Sequence, residues 1–302
     1  TLNRENELNT ILEKMKKLLL SAFVICLAGT SIAQESPLWM RHCALSPDGT
    51  TIAFTYKGDI YTVPSTGGRA TQITTNPAFD TEPVWSPDSK QIAFASDRMG
   101  SLDVFVVSSE GGAPQRLTTH SGSEKPVAYK DNKHILFTAN IAPSAEDAGF
   151  PSGQFQQVYE VAVTGGRPAM FSSMPMECIS INKEGVMLYQ DKKGYEDYWR
   201  KHQVSPIARD IWTYTPGKKP VYQKQTTFGG EDREPVWSPD GKSFYYLSEE
   251  KGSFNIFQRT PGTTTSQQIT FHTKHPVRFL SISTTGTLCY GYDGEIYTLT
   301  PG

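Results

Sequence analysis

The sequence is poor in the features that mark several large protein classes, and cysteine is the first of them. Of 4 cysteines in 302 residues, three follow residue 33, namely Cys43, Cys178 and Cys289, and no two form a C-x-x-C pair. An odd, scattered set of this kind is neither a disulfide framework nor a zinc site. We therefore expect buried free thiols, with pairing of two cysteines in an oxidising compartment as the alternative.

Net charge and long apolar runs are lacking as well. Lys and Arg number 29 against 31 Asp and Glu, which gives a formal charge of −2 at pH 7. This balance excludes the strongly basic surface that nucleic acid or an anionic membrane attracts. No apolar run reaches the roughly 20 residues that a transmembrane helix needs, so we expect no membrane span in the mature chain.

Catalytic signatures are missing too. The sequence contains no G-x-S-x-G elbow, no H-E-x-x-H motif, no P-loop and no calcium-loop pattern. We therefore expect no catalytic residue, no metal site and no cofactor in this chain. We interpret the charged pair Asp97 and Arg98, and the run Glu231, Asp232 and Arg233, as solvated loop charges.

The longest apolar stretch lies near the N-terminus. Met15, Lys16 and Lys17 precede the run LLLSAFVICLAG, which is followed by the small-residue segment TSIA. A basic start, a short apolar core and a small-residue end are typical of a secretory signal peptide, here residues 15–33 with cleavage before Gln34. Residues 1–14 are then an upstream extension, and we expect export to the periplasm or cell envelope.

The chain does have a repeat. The pentapeptide VWSPD occurs at residues 84–88 and 236–240, and related segments begin at Ala44, Ala128, Ile179 and Leu280. If six positions are taken as equivalent, their spacings are 40, 43, 53, 56 and 45 residues; these positions are Ser46, Ser86, Tyr129, Asn182, Ser238 and Ser283. Ser-Pro-Asp-Gly suits a tight turn, so we interpret VWSPD as architecture and not as part of an active site.

Two further signatures recur in each unit. A polar, a β-branched and an aromatic residue follow one another six times, starting at Asp59, Asp103, Gln157, Asp210, Asn255 and Glu295. Segments such as GGRATQIT then close most units. Each unit thus holds four short strands, which in the first unit are residues 41–45, 52–56, 59–64 and 70–74. Repeats of this length and content are typical of β-propeller blades, and the aromatics are expected to pack between blades.

The predicted fold is therefore all-β: a six-bladed β-propeller with four-stranded antiparallel blades over residues 37–302. The blade boundaries are about 37–75, 80–119, 124–173, 177–227, 232–271 and 276–302. The last unit stops at Pro301 and Gly302, where other units turn into their fourth strand. We therefore expect an incomplete last blade and a chain that is a fragment cut at a blade edge.

Two inserts, residues 140–156 and 191–210, interrupt the regular units. Insertions in propellers map to loops on one face, often the binding face. The second insert is rich in aromatic and Arg side chains, which are the usual anchors of interfaces. Its candidate contact residues for substrate or partner are Tyr195, Tyr198, Trp199, Arg200, His202 and Arg209. The alternative is that Tyr198 and Trp199 only plug the base of their own loop.

Together the three signatures resemble the SPDG propeller repeats of the TolB, prolyl-oligopeptidase and tricorn-type peptidase groups. Two segments favour the tricorn type. GYEDYWRKHQVSPIARDIW, from Gly194, resembles the fourth-blade insertion of the tricorn N-terminal propeller, and HPVRFLSISTTGTLCYGYDGEIYTL, from His275, resembles its last blade. The resemblance covers about residues 37–302.

This resemblance implies a non-catalytic propeller that gates or docks unfolded peptides for a serine peptidase. The implied parent is a hydrolase whose PDZ and peptidase domains follow the propeller, and self-association is left open. Selection would work by channel width, admitting an extended chain and excluding a folded domain. Two alternatives stay open: a TolB-like envelope protein-binding propeller without a peptidase, and the lid propeller of a prolyl-oligopeptidase-type enzyme.

Overall fold

The computed structural model describes residues 14–16, 39–141, 156–194 and 204–302. The chain divides into two units, residues 1–37 and 38–302. In the first unit residues 14–16 are helical, and the remainder of the proposed signal peptide lies outside the described residues. Within the described ranges, no helix is both long and apolar enough to pass through a lipid bilayer.

The second unit is a series of antiparallel sheets, and the first three each have four strands. Blade one holds β1 (Arg41–Leu45), β2 (Thr51–Tyr56), β3 (Asp59–Pro64) and β4 (Thr71–Gln72). Blade two holds β5 (Asp80–Trp85), β6 (Gln91–Ser96), β7 (Asp103–Ser108) and β8 (Gln115–Arg116). Blade three holds β9 (Lys125–Asp131), β10 (His134–Ala139), β11 (Gln157–Ala162) and β12 (Ala169–Ser172).

The other three sheets continue the pattern. Blade four holds β13 (Met176–Ile181), β14 (Met187–Asp191), β15 (Ile211–Thr215) and β16 (Val221–Lys224). Blade five holds β17 (Asp232–Trp237), β18 (Phe244–Ser248), β19 (Asn255–Arg259) and β20 (Ser266–Gln268). Blade six has three strands among the described residues, β21 (Arg278–Ile282), β22 (Leu288–Tyr292) and β23 (Glu295–Leu299). The predicted six-bladed propeller with an incomplete last blade is confirmed.

The repeated SPD segment is a turn held by its own side chains. Ser46 Oγ donates a hydrogen bond of 2.6 Å to Asp48 Oδ1, which also accepts from the Thr50 amide at 2.9 Å. The same 2.6 Å bond recurs in the pairs Ser86–Asp88 and Ser238–Asp240. In all three turns the serine hydroxyl lowers the pKa of the aspartate. Local bonding accounts for these aspartates, so the segment is architectural.

In blades one, two, four and five a threonine follows the fourth strand and ties it to the third. Its hydroxyl accepts a 2.9 Å hydrogen bond from an amide early in the third strand, and this occurs at Thr74, Thr118, Thr226 and Thr270. In blade one Thr74 Oγ1 also donates to Asp59 Oδ1 at 3.2 Å. The polar residue that opens the third strand is therefore tied to the end of the fourth.

The predicted packing of aromatic residues between blades is also present. Six hydrophobic clusters each lie between two neighbouring blades. Phe105 of blade two, for example, packs with Ala53 and Ile60 of blade one. The sixth cluster joins Phe54 of blade one to Cys289 of blade six. This last contact closes the ring.

One repeat position was assigned wrongly from the sequence. Tyr129 lies opposite Ile135 in the same way that Trp85 lies opposite Ile92. Tyr129 is thus the counterpart of the tryptophan and not of the serine that follows it. The turn of blade three is one residue shorter than those of blades one, two and five, which shifts a simple alignment by one place.

Candidate functional site

The six inner strands surround a central channel. Residues of β1, β5, β9, β13, β17 and β21 line a cavity of about 970 Å³, together with the turns that follow several of them. Every blade therefore contributes its first strand to the wall. The side chains that reach this wall are the candidates for contact with anything that enters.

Five of the inner strands carry a bulge at the channel. Their register shifts by one residue, and at each shift a non-glycine residue takes a left-handed backbone: His42, Glu82, Cys178, Glu234 and Phe279, with φ between 49° and 59°. All five line the cavity. Bulges re-aim side chains and recur next to functional sites. A left-handed residue of this kind costs of order 1–3 kcal/mol, which the surrounding sheet must offset.

Blade three departs from this pattern for a physical reason. In β9, Pro126 pairs with Phe137 and Ala128 with Leu136, so only Val127 is skipped. Proline fixes φ near −65° and cannot adopt the left-handed conformation. The ring of bulged residues was not found from the sequence. The available signal was position, since each lies four residues before a turn serine or its counterpart.

The wall between blades one and three carries both charge signs. Lys125 Nζ lies 2.5 Å from Glu82 Oε1, and His42 Nδ1 lies 3.0 Å from Thr81 Oγ1. Burial lowers the pKa of His42, so the imidazole is neutral at pH 7. This part of the wall therefore presents one ion pair and one neutral ring.

Arg209 is the centre of an ion-pair network on the opposite wall. Its guanidinium lies 2.9 Å from Glu177 Oε2 and 2.7 Å from Glu231 Oε1. Lys192 adds a contact of 3.2 Å to Glu177. Burial opposes ionisation of Glu177, but Arg209 and Lys192 together hold the pKa of that carboxyl below its ordinary value. The arginine is thus a buried structural cation, and its partner Glu177 also lines the channel.

The interpretation of Glu231, Asp232 and Arg233 as solvated loop charges was wrong. All three are buried, with at most 2% of each residue exposed. Glu231 precedes β17, and Asp232 and Arg233 begin it, because the repeat starts the inner strand of blade five at this point. Arg233 Nε lies 2.8 Å from Glu231 Oε1, and its guanidinium lies 4.9 Å from the centre of the Phe254 ring. Partners replace the water that a charge run normally requires.

The two members of the other charged pair, Asp97 and Arg98, differ in their exposure to solvent. Asp97 is exposed and its Oδ1 accepts a 2.8 Å hydrogen bond from the Phe79 amide. Arg98 is instead largely covered and lies 2.9 Å from Asp80. Only the aspartate of this pair therefore matches the expectation of a solvated charge.

Most of the candidate contact residues lie outside the described residues, namely Tyr195, Tyr198, Trp199, Arg200 and His202. Arg209 is described and lies on the channel wall. The two ends of the excursion at residues 191–210 are joined. The Asp191 amide donates to Asp210 O at 3.0 Å, and the Asp210 amide donates to Asp191 Oδ1 at 2.8 Å. Lys193 bridges the same two carboxylates.

Both ends of the excursion border the channel, because Lys192 and Arg209 line it. Trp212 Nε1, just beyond the excursion, donates to Asp191 Oδ2 at 2.9 Å and fixes the closure. The excursion therefore leaves and rejoins the blade at the channel wall. The prediction that its aromatic residues form a contact surface stays a prediction.

The remaining candidate groups are possible metal ligands and the cysteine thiols. Within the described part of the chain, no three His, Cys, Asp or Glu side chains are grouped to hold a metal ion. Cys43 and Cys289 are buried and Cys178 is half-buried on the channel wall, and all three are free thiols.

Comparison with known sequences identifies two relatives named as a protease or peptidase and one uncharacterized protein. "Tricorn protease homolog 1" of Streptomyces coelicolor is 24% identical over 260 residues, which are 84% of this chain and 23% of that protein. The "Uncharacterized peptidase YuxL" of Bacillus subtilis is 32% identical over 108 residues, which are 32% of this chain and 16% of that protein. An uncharacterized Agrobacterium fabrum protein is 34% identical over 218 residues, 67% of this chain and 68% of that protein. The chain thus spans less than a quarter of the first two relatives.

Solved structures and a family match agree on the fold. The crystal structure of the tricorn protease superposes with a TM-score of 0.73 at 17% identity, covering 88% of this chain and 25% of that one. TolB from Acinetobacter baumannii gives a TM-score of 0.62 at 15% identity, covering 85% of this chain and 64% of that one. Residues 37–302 match the family described as "Tricorn protease N-terminal beta propeller domain". Since this match covers most of the sequence, the chain belongs to the family of tricorn protease N-terminal β-propeller domains.

Proposed function

We propose that this chain is the non-catalytic propeller of an exported tricorn-like serine peptidase, and that its channel gates or docks unfolded peptides. Proteolysis would be carried out by PDZ and peptidase domains that follow the propeller in the parent protein. The observation that carries the proposal is the channel of about 970 Å³, to which all six blades contribute their first strand. A space of this size suits an extended segment, which advances about 3.3 Å per residue, and excludes a folded domain.

The electrostatics of the wall support tolerance toward many peptide sequences. The acidic side chains Glu82 and Glu177 are each paired with a lysine or arginine of the wall. Glu234 Oε2 accepts a 2.7 Å hydrogen bond from the Leu280 amide. Because these charges are already engaged, a passing peptide need not supply a fixed pattern of opposite charge.

The fourth-blade excursion is proposed to be the contact surface at this channel. Its candidate residues are Tyr195, Tyr198, Trp199, Arg200 and His202, with Arg209 anchoring the base. The support is that both ends of the excursion border the channel. A buried aromatic hot spot of this kind contributes about 2 kcal/mol or more to binding.

The location is proposed on the sequence of the N-terminus. Residues 15–33 would direct export, the mature chain would begin at Gln34, and the protein would act in the periplasm or cell envelope. Self-association of the parent would place several channels in one assembly.

Two other functions have some support. A TolB-like propeller that binds an envelope partner without a peptidase is favoured by the TM-score of 0.62 to TolB from Acinetobacter baumannii. The lid propeller of a prolyl-oligopeptidase-type enzyme is the other alternative, and its support is the similarity to a relative named as an uncharacterized peptidase, YuxL. The sequence that follows in the parent protein separates the three: a PDZ and serine peptidase core, an early stop codon, or a G-x-S-x-G elbow.

Peptide binding by the full chain tests the proposal. A fluorescent unfolded polypeptide, reduced and carboxymethylated, should bind, and the same polypeptide in its native disulfide-bonded form should not. Replacing Trp199 and Arg200 by Ala should weaken binding about 30-fold, which corresponds to about 2 kcal/mol. Val221→Ala, an exposed change on the outer strand β16, is the matched control.

The same variants decide between contact and packing. If the Trp199→Ala and Arg200→Ala protein melts several degrees lower while its peptide affinity is unchanged, these residues plug their own loop. Equal binding of the unfolded and native polypeptides would contradict selection by channel width.

A further inference from the structure

The ring closes between the first and the last blade without a shared sheet. Each described blade consists of strands that follow one another in the chain, so no described strand links blade one to blade six. The junction depends on packing and a few hydrogen bonds. The Leu45 amide donates to Ser281 Oγ at 3.0 Å, and the Thr284 amide donates to Pro47 O at 2.8 Å. This is the one junction between neighbouring described blades that no connecting loop spans.

Two thiols meet at this junction. Cys43 on β1 is 4% exposed and Cys289 on β22 is fully buried, and both belong to the cluster between blades one and six. Cys43 Sγ donates to Phe279 O at 3.4 Å. Burial and the neighbouring thiol of Cys289 raise the pKa of Cys43 well above its ordinary value. A disulfide needs its two cysteines on closely packed segments, and β1 and β22 place Cys43 and Cys289 in the same buried cluster.

The third thiol of the propeller is placed differently. Cys178 lies on β13 in blade four and lines the channel, three blades away from the junction. It does not belong to the cluster between blades one and six that holds Cys43 and Cys289. The odd cysteine of the set is therefore the one that lacks a thiol neighbour, and the remaining two form a pair.

We propose that Cys43 and Cys289 are a modification site, at which a disulfide joins the first and last blades and closes the propeller covalently. The bond would form by exchange with a disulfide oxidant, either a protein disulfide or oxidised glutathione. One cysteine thiolate attacks the oxidant, breaking its S–S bond and forming a mixed disulfide. The second cysteine displaces the remaining oxidant sulfur, so one S–S bond breaks, one forms, and the two cysteine protons end on the reduced oxidant's thiols.

The raised pKa of Cys43 affects the stage of folding at which the disulfide forms. Thiolates are the reactive species, and a buried thiol with a raised pKa yields few of them. Exchange is therefore slow in the closed ring and fast during folding, when both cysteines face water. The bond closes a loop from residue 43 to residue 289, which spans nearly the whole propeller. Long loops gain most from such a link, and the melting temperature is expected to rise by about 5–15 °C.

Refolding of the full chain tests the site. The protein is unfolded with reductant and refolded in a mixture of reduced and oxidised glutathione, or in reductant alone, and digested with trypsin without reduction. The expected product of oxidative refolding is peptide 42–57 linked to peptide 279–302, with the loss of two hydrogen masses. The oxidised protein should melt about 5–15 °C above the reduced one.

Three variants make the outcome decisive, because each is compared with itself in the two redox states. Cys43→Ala and Cys289→Ala should each abolish the difference in melting temperature, even if they lower stability on their own. Cys178→Ala should leave the difference intact. Free thiols in both peptides after oxidative refolding, a linkage through Cys178 or Cys26, or equal melting of the linked and reduced proteins would each overturn the proposal.

Discussion

Blades two and five carry the same VWSPD segment and begin their inner strands with the same residue, yet they treat its charge in opposite ways. Asp80 and Asp232 are both buried, at most 1% exposed. In blade two Arg98 Nη2 donates to both oxygens of Asp80, at 3.0 and 2.9 Å. In blade five the corresponding position holds Glu250.

The correspondence follows from the strand register. Asp80 lies opposite Ser96, and Asp232 lies opposite Ser248. Arg98 and Glu250 each come two residues after that serine. One blade therefore supplies a cation to its buried aspartate, and the other supplies a second carboxylate at the same place.

The environment in blade five changes the pKa of its buried aspartate. Burial raises the pKa of Asp232 to about 7, and the carboxylates of Asp210 and Glu250 act in the same direction. Hydrogen bonds from Ser248 and Thr226 oppose this shift only in part. The repeat thus fixes the place of the carboxyl group, and in blade five burial and the neighbouring charges set its pKa.

Removing the cation of blade two should have the largest effect. Arg98→Ala leaves Asp80 buried without its cation, and breaking a buried pair in this way costs about 3–5 kcal/mol. Chemical unfolding at pH 7 measures it. The matched change in blade five, Glu250→Ala, removes a like charge and should leave stability unchanged or raise it. Equal losses in the two variants would contradict the comparison.

The carboxyl group of Asp232 in blade five should give the next largest effect on stability, and this effect depends on pH. Its folded pKa of about 7 lies above the unfolded value of about 4. Its contribution is therefore fully present below the unfolded pKa and is lost as the pH rises through the folded one. Asp232→Asn keeps a side chain that accepts hydrogen bonds but cannot ionise.

The variant should therefore gain on the wild type as the pH rises from 5 to 8. The expected gain in the free energy of unfolding is about 2 kcal/mol, and it should level off above pH 7. Urea unfolding at several pH values measures the difference between the two proteins. A difference that does not change with pH would show that Asp232 is ionised throughout.

The sequence predicts the regular part of this molecule well. The first, third and fourth strands of blade one were placed at residues 41–45, 59–64 and 70–74, and the structure has Arg41–Leu45, Asp59–Pro64 and Thr71–Gln72. Turn chemistry and strand patterning are local properties, so repeated motifs report them. Five of the six clusters between blades contain the repeated aromatic residue of a third strand, whereas Tyr297 of blade six is 36% exposed and lies outside them.

The channel was harder to predict because it depends on backbone geometry. The left-handed residues at the wall include His42, Cys178 and Phe279, which share no residue type. A bulge arises from the pairing of two strands, so no single residue type predicts it. The burial of residues 231–233 was missed because a charge run is usually solvated, and its partner Arg209 lies 22 residues away from Glu231.

The smallest expected effect concerns what the two blades have in common. Ser86 Oγ accepts from the Gln91 amide at 2.9 Å and donates to Asp88, and Ser238 Oγ accepts from the Ser243 amide at 3.0 Å and donates to Asp240. The two turns share these bonds, so their contributions should be similar even though the charges deeper in the blades differ. Ser→Ala at either position should cost about 1 kcal/mol, measured as the free energy of unfolding at pH 7. A clear difference between Ser86→Ala and Ser238→Ala would mean that the buried charge of the blade acts on its turn. The two turns would then share their geometry but not their contribution to the free energy of unfolding.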